Sequence, residues 1–226
     1  MRKTKIIAFE GIDGSGKTLQ WDLLTARLRS EGYRVGTKSF PIYESFFGSQ
    51  VGRLLRGQPL RADEVDSRSM CLWYALDRFK GFESYRDGEF DFLLINRFTP
   101  SNAVYQCIRP IDEGMEDNWE WVKELEHGQL GLPVPDLYLL IDLDAGLAQA
   151  NVDRKSKREY IEAGARDVYE EQRGLLQRAR ARYLDIAARE DNFTVIPGQS
   201  GEGGQDAPEV IAQRIWQALR MRGMLS

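Results

Sequence analysis

Short apolar runs and longer segments of mixed polarity alternate along the chain, and the alternation predicts strands and helices in turn. Apolar runs bounded by polar or glycine-rich turns predict strands over residues 4–10, 34–40, 91–96, 136–142 and 193–197. Runs without in/out alternation fit strands covered on both faces, and so a parallel sheet. Between them the spacing predicts helices near 16–31, 47–56, 64–86, 101–107, 116–129, 144–151, 167–190 and 208–222. The segment 167–190 has the clearest helical period, carried by Val168, Leu175, Leu176, Ala179, Tyr183 and Ile186. Glycine-rich residues 198–208 predict a flexible surface connector. With no internal repeat, residues 1–226 are expected to form one α/β domain.

The first apolar run leads into Gly11-x-x-x-x-Gly16-Lys17-Thr18, the phosphate-binding loop pattern. Gly14 and Gly16 let the backbone turn tightly, so that successive amide N–H groups, Ser15 included, and a helix N-terminus converge on an anion. Lys17 then reaches the β/γ oxygens, and the Thr18 hydroxyl can ligate Mg²⁺.

A formal net charge of −4 offers no basic field for nucleic acid or an anionic membrane, so positive potential must be local. No apolar run approaches the ~18 residues of a membrane span, and a soluble, cytoplasmic protein is expected. Cys71 and Cys107 are too few for a disulfide framework and read as buried thiols. His127, the single histidine, reads as a residue favouring a helix C-terminus.

Three further segments narrow the chemistry. Tyr74 and Arg78 share a helix face, and an aromatic plane beside a guanidinium suits a planar base. The strand 91–96 ends at Asn96, and the next residues, Arg97, Ser101, Asn102 and Tyr105, should line the crevice at the strand ends. Residues 153–173 are dense in both charges, including Arg158, Arg166 and Glu170, and read as a basic lid able to close on phosphates.

The order and spacing of these segments identify a resemblance to the thymidylate kinase family of nucleoside monophosphate kinases. It is carried by Phe9-Glu10-Gly11-x-Asp13-Gly14-x-Gly16-Lys17, Phe40-Pro41-x-Tyr43, Tyr74-Ala-Leu-Asp77-Arg78, Arg97 to Gln106, Gly131-Leu-Pro133-x-Pro135-Asp136 and Ala165-Arg166-Asp167-x-Tyr169-Glu170. The resemblance implies a three-layer P-loop kinase fold, a five-stranded parallel sheet with helices on both faces and a short lid. It also implies transfer of the ATP γ-phosphoryl group to dTMP with Mg²⁺, and a homodimer joined through apolar faces such as 47–56, 64–86 and 101–107.

By the same resemblance, Lys17 and the loop amides hold ATP, and Asp13 meets the acceptor's 3′-hydroxyl or the metal. Tyr74 stacks on the base, Arg78 donates to it, and Asn102 touches it. Arg97 grips the acceptor phosphate and Tyr105 crowds the sugar's 2′ position. Phe40, Pro41, Tyr43, Ser101, Gln106 and Tyr169 complete the acceptor site. Arg158 and Arg166 meet the transferring group, and Glu170 lies at the metal or sugar.

The chain also departs from its relatives. Asn96 stands where most have aspartate, Ile42 where this branch has arginine, and Asn151 where relatives often place arginine. The lost carboxylate at 96 could be offset by Asp13, Asp77 or Glu170. Two alternatives stay open beside dTMP phosphorylation: a kinase for another pyrimidine monophosphate, and a nucleotide-binding protein with little catalysis.

Overall fold

The computed structural model describes residues 3–108, 117–159, 174–201 and 203–225. Its elements in chain order are β1 (Lys5–Glu10), α1 (Lys17–Ser30), β2 (Val35–Ser39), α2 (Phe46–Leu55), α3 (Ser67–Phe82), β3 (Phe92–Asn96), α4 (Thr99–Cys107) and α5 (Trp119–Lys123). β4 (Leu137–Asp142), α6 (Ala145–Glu159), α7 (Leu175–Arg189), β5 (Phe193–Pro197) and α8 (Pro208–Met221) complete the series. The five strands form one open parallel sheet in the order β2-β3-β1-β4-β5.

Helices cover both faces, because successive strand side chains point to opposite sides and both sides are apolar. Ile7, Phe9, Leu94, Leu139 and Ile141 pack with Leu24 and Leu28 of α1 and Ile211, Ile215 and Leu219 of α8. Their neighbours Ile6, Ala8, Leu93, Ile95, Tyr138 and Leu140 pack with Val104 of α4 and Ala179, Tyr183 and Ile186 of α7. The strand order reverses direction at β1, which lies between β3 and β4. Crevices for ligands open at such switch points, and the 11–18 loop leaves β1 there.

Local chemistry accounts for the boundaries that differ from expectation. α3 starts at Ser67 because the Asp66 carboxylate caps it, accepting from Ser69 N at 3.0 Å, while Ala62–Glu64 form a separate 3₁₀ turn. α6 runs on to Glu159, past the expected end at 151. α7 starts at Leu175, after Gly174 at φ 85°; the expected start at 167 lies outside the described residues. α5 widens into a π-helical turn, Glu124–Gln129.

The 198–208 connector is more ordered than its glycines suggest. Gly198 N donates to Asp142 O at 2.7 Å, Asp206 N donates to Gly198 O at 2.9 Å, and Gln199 bridges Gln205.

Two surface expectations also change. Residues 99–106 of α4 are buried by the chain's own core, so α4 offers no free apolar face. Exposed apolar side chains instead occur on α2, at Phe46, and on α3, at Leu72 and Phe79. Cys71 is buried as expected, whereas Cys107 is only partly so. No helix among the described residues is long and apolar enough to cross a membrane.

His127 sits in the π-helical turn, with Nδ1 3.0 Å from Leu132 O and Nε2 3.2 Å from Thr99 Oγ1. Burial holds its imidazole below the usual 6.5. A depressed value means that its stabilising share is present above about pH 6.5 and lost as pH falls through the folded value. Thermal stability should therefore fall as pH drops below about 6.5. His127→Gln should flatten that part of a melting-temperature profile.

Candidate active site

Glycine is required where the phosphate loop turns. Gly14 has φ 81°, and a Cβ there would lie 2.1 Å from Ala148 O; Gly11 has φ 144°, and its Cβ would lie 2.8 Å from Ile141 O. Gly16, at φ 88°, precedes α1 with no side-chain cap. A helix N-terminus without a side-chain cap suits an anion at that end. Asn151 Nδ2 donates to Gly14 O at 2.7 Å and to Gln205 Oε1 at 2.8 Å. Asn151 thus ties α6 and the 198–208 loop to the phosphate loop.

These parts border a cleft of about 1390 Å³ lined by Asp13, Gly14, Gly16, Lys17, Thr18, Asn96, Arg97, Asn151, Arg154, Gln205 and Asp206, among others. Lys17 is buried at 5% exposure, its ammonium donating to Ile12 O at 3.2 Å and Asp13 Oδ1 at 3.3 Å. A buried cation held inside the loop is poised for an anion that displaces its carboxylate neighbour. Ser15 Oγ is buried and unpartnered among the described residues. Asn96 Nδ2 donates to Thr18 Oγ1 at 3.3 Å and Ser39 Oγ at 3.2 Å, leaving its buried Oδ1 without a partner there.

A second recess of about 180 Å³ is lined by Asp13, Phe40, Pro41, Tyr43, Tyr74, Arg78, Arg97, Ser101, Asn102, Tyr105 and Gln106, with Leu55. Asp13, Phe40, Pro41, Tyr43 and Arg97 border both spaces, which therefore meet at Asp13 and Arg97. Arg97 has φ 64°, a left-handed conformation uncommon outside glycine, and its Nη2 pairs with Asp13 Oδ1. Tyr105 OH donates to Asp13 Oδ2 at 3.2 Å and accepts from Asp13 N at 3.1 Å. The junction thus joins one carboxylate, one guanidinium and one phenol.

One cleft shaped for phosphates and one smaller recess sharing a charged junction suit a reaction between two phosphorylated molecules. A sequence model described as Thymidylate kinase matches residues 9–203. The chain belongs to the thymidylate kinase family. It is 31% identical over 190 residues to a Mycobacterium tuberculosis thymidylate kinase, covering 81% of this chain and 86% of that one. To a Synechococcus thymidylate kinase it is 30% identical over 221 residues, covering 96% and 95%. The solved structure of thymidylate kinase from Candida albicans superposes with a TM-score of 0.72 at 17% identity, covering 99% of this chain and 94% of that one.

Of the residues expected from sequence, Asp13, Gly14, Gly16, Lys17, Thr18, Phe40, Pro41, Tyr43, Tyr74, Arg78, Arg97, Ser101, Asn102, Tyr105 and Gln106 border the cleft or the recess, while Gly11 and Ser15 lie within the loop that shapes the cleft. Arg158 lies on the backbone of α6, while Arg166, Tyr169 and Glu170 lie outside the described residues. Asp77 is not available to offset Asn96: its carboxylate accepts from Ile42 N at 2.8 Å and Ser45 Oγ at 2.6 Å, fixing the 40–45 turn. Arg78 is almost fully buried and bound to the buried Glu126 through Nε at 2.7 Å and Nη2 at 2.5 Å.

Three participants were missed in this thymidylate kinase family member. Glu10 ends an otherwise apolar strand and accepts from Phe98 N and Ser101 Oγ, both at 2.7 Å, and from Tyr183 OH at 3.0 Å. Burial pushes its carboxyl above the usual range, and these donors pull it back. A carboxylate inside a two-faced buried strand was a readable signal. Tyr183 and Glu126 gave none, since each looks like an ordinary helix residue and meets its partners only through the fold.

Proposed function

We propose that this chain transfers the γ-phosphoryl group of ATP to dTMP, giving dTDP and ADP, with Mg²⁺. The observation that carries the reading is the shared border of cleft and recess at Asp13 and Arg97, which supports a donor's terminal phosphate meeting an acceptor's there. Positioning and charge do most of the catalytic work in such transfers.

In this reading the 11–18 amides and Lys17 hold the donor phosphates, and Arg97 holds the acceptor phosphate so that its oxygen attacks the γ-phosphorus in line. Asp13 orients Arg97 and receives the sugar 3′-hydroxyl or the metal's shell. Tyr105, hydrogen-bonded to Asp13, takes the role of crowding the sugar's 2′ position that the family resemblance assigns it. Tyr74 stacks on the base while Arg78 and Asn102 bond its edge; Phe40, Pro41, Tyr43, Ser101 and Gln106 close the walls. Arg158, Arg166, Tyr169 and Glu170 take the lid roles that the family resemblance assigns them.

The residues fit Mg²⁺: Thr18 Oγ1, the Asp13 carboxylate and the orphaned Asn96 Oδ1 are the oxygen-rich, partly charged set such an ion takes alongside phosphates and water. When bound, the ion neutralises charge on the β- and γ-oxygens. We also assign the enzyme to the cytoplasm, and to a homodimer joined through the exposed apolar side chains of α2 and α3.

An ADP-release assay with ATP, Mg²⁺ and dTMP, dUMP, dCMP and dGMP tests the function. The highest kcat/KM should fall to dTMP; absence of ADP with every acceptor overturns the proposal. Asn96→Asp supplies a second check. A carboxylate there would accept from both Thr18 and Ser39 hydroxyls and add one negative charge near the metal, worth about 1 kcal/mol or roughly fivefold. The Mg²⁺ concentration for half-maximal rate should drop by that factor. An unchanged Mg²⁺ titration would mean that other groups already supply the charge.

A further inference from the structure

Glu126 has 0% exposure and lies behind the recess, where four donors converge on its two oxygens. Arg78 Nη2 and Asn102 Nδ2 meet Oε1 at 2.5 and 2.9 Å; Arg78 Nε and Thr99 Oγ1 meet Oε2 at 2.7 and 2.9 Å. Asn102 Nδ2 also donates to Cys71 O at 3.0 Å. Both amide hydrogens of Asn102 are therefore taken by groups that can only accept. Turning the amide over would place its oxygen against a carbonyl and a carboxylate at once, so the orientation is dictated.

The consequence falls on the atom left over. Asn102 Oδ1 is buried without a partner among the described residues, on a side chain that lines the recess. Arg78 lines the same recess, and its contacts with Glu126 leave Nη1 available. A fixed acceptor and a fixed donor thus belong to side chains that line one recess, and neither can exchange roles with the other. A buried acceptor lacking a protein partner needs a donor from whatever enters.

We propose that Glu126 is the positioning residue that sets base preference, holding Asn102 as acceptor and Arg78 as donor so that the pocket takes an imide edge, as in thymine or uracil, and rejects cytosine. The imide offers a ring N–H and a carbonyl oxygen in matching order. Cytosine presents a ring nitrogen acceptor and an amino donor, so that both contacts become like against like. This inference rests on the pyrimidine-monophosphate reading above and adds the residue that enforces it.

The test is calorimetric binding of dTMP and dCMP to the full chain and to Glu126→Gln. A glutamine is nearly isosteric but must turn an NH₂ toward either Arg78 Nε or the shared site of Asn102 Nδ2 and Arg78 Nη2. Either way one of the two base contacts loses its anchor. Wild type should favour dTMP by roughly a hundredfold, and the variant's dTMP-to-dCMP affinity ratio should fall at least about tenfold with ATP affinity unchanged. Equal weakening of both nucleotides, or an unmoved ratio, overturns the role of Glu126.

Wild type without any thymine preference would instead overturn the function on which the inference rests. If Glu126→Gln does not fold, Glu126→Asp keeps the charge but withdraws it by one methylene, and its ratio is read in the same way. Should both fail, hydrogen exchange of the Asn102 side-chain amide in wild type decides: protection supports the lock, and free exchange overturns it.

Discussion

Lys17→Ala should lower kcat/KM for phosphoryl transfer by about 10³-fold, close to 4 kcal/mol of transition-state stabilisation. The ammonium is nearly covered and lies within the loop, where its charge is poorly screened by water. Its removal leaves the Arg97–Asp13 pair in place, so the recess keeps its shape. The expected signature is therefore loss of turnover with dTMP affinity close to wild type. Steady-state assay of the variant, together with calorimetric titration of dTMP, checks both halves. A loss below tenfold would remove Lys17 from the transferring phosphate.

Arg97→Gly should separate function from stability. A non-glycine residue at φ 64° carries strain on the order of 1 kcal/mol, which glycine relieves. Against that relief stand the greater freedom of glycine in the unfolded chain and a partly exposed ion pair with Asp13. The melting temperature should stay within about 4 °C of wild type, while kcat/KM for the acceptor falls by about 10³-fold. Arg97→Ala should lose the same activity and melt lower, because it keeps the strain without the guanidinium. If Arg97→Ala melts higher than Arg97→Gly, the backbone at 97 is not strained. If Arg97→Gly retains activity, the acceptor phosphate is held elsewhere.

The sheet and its helices were legible because their signals are local. Runs such as Ile6–Phe9 and Leu137–Ile141 are apolar at every position, and a strand covered on both faces must read that way. The phosphate loop was legible for a related reason: Gly14 stands where no Cβ fits. Helix ends were less so, since capping by Asp66 competes with several nearby polar residues that could have served. In the site, the motifs named many of the residues that touch the open spaces, but not the contacts that the residues behind them make. Asp77 looked free to aid a metal and instead holds Ile42 and Ser45 across 35 and 32 positions of sequence. Glu126 reaches Arg78 across 48 positions, a pairing that no local period encodes.

The five residues that border both cleft and recess make them two rooms with a common doorway. A single inhibitor that carries a nucleoside at each end and a phosphate chain through the doorway would engage both. Its second half would bind at the millimolar effective concentration set by a short tether, and its affinity would exceed that of either half by roughly 10²- to 10⁴-fold. The ideal tether is the one whose length matches the passage between Lys17 and Arg97.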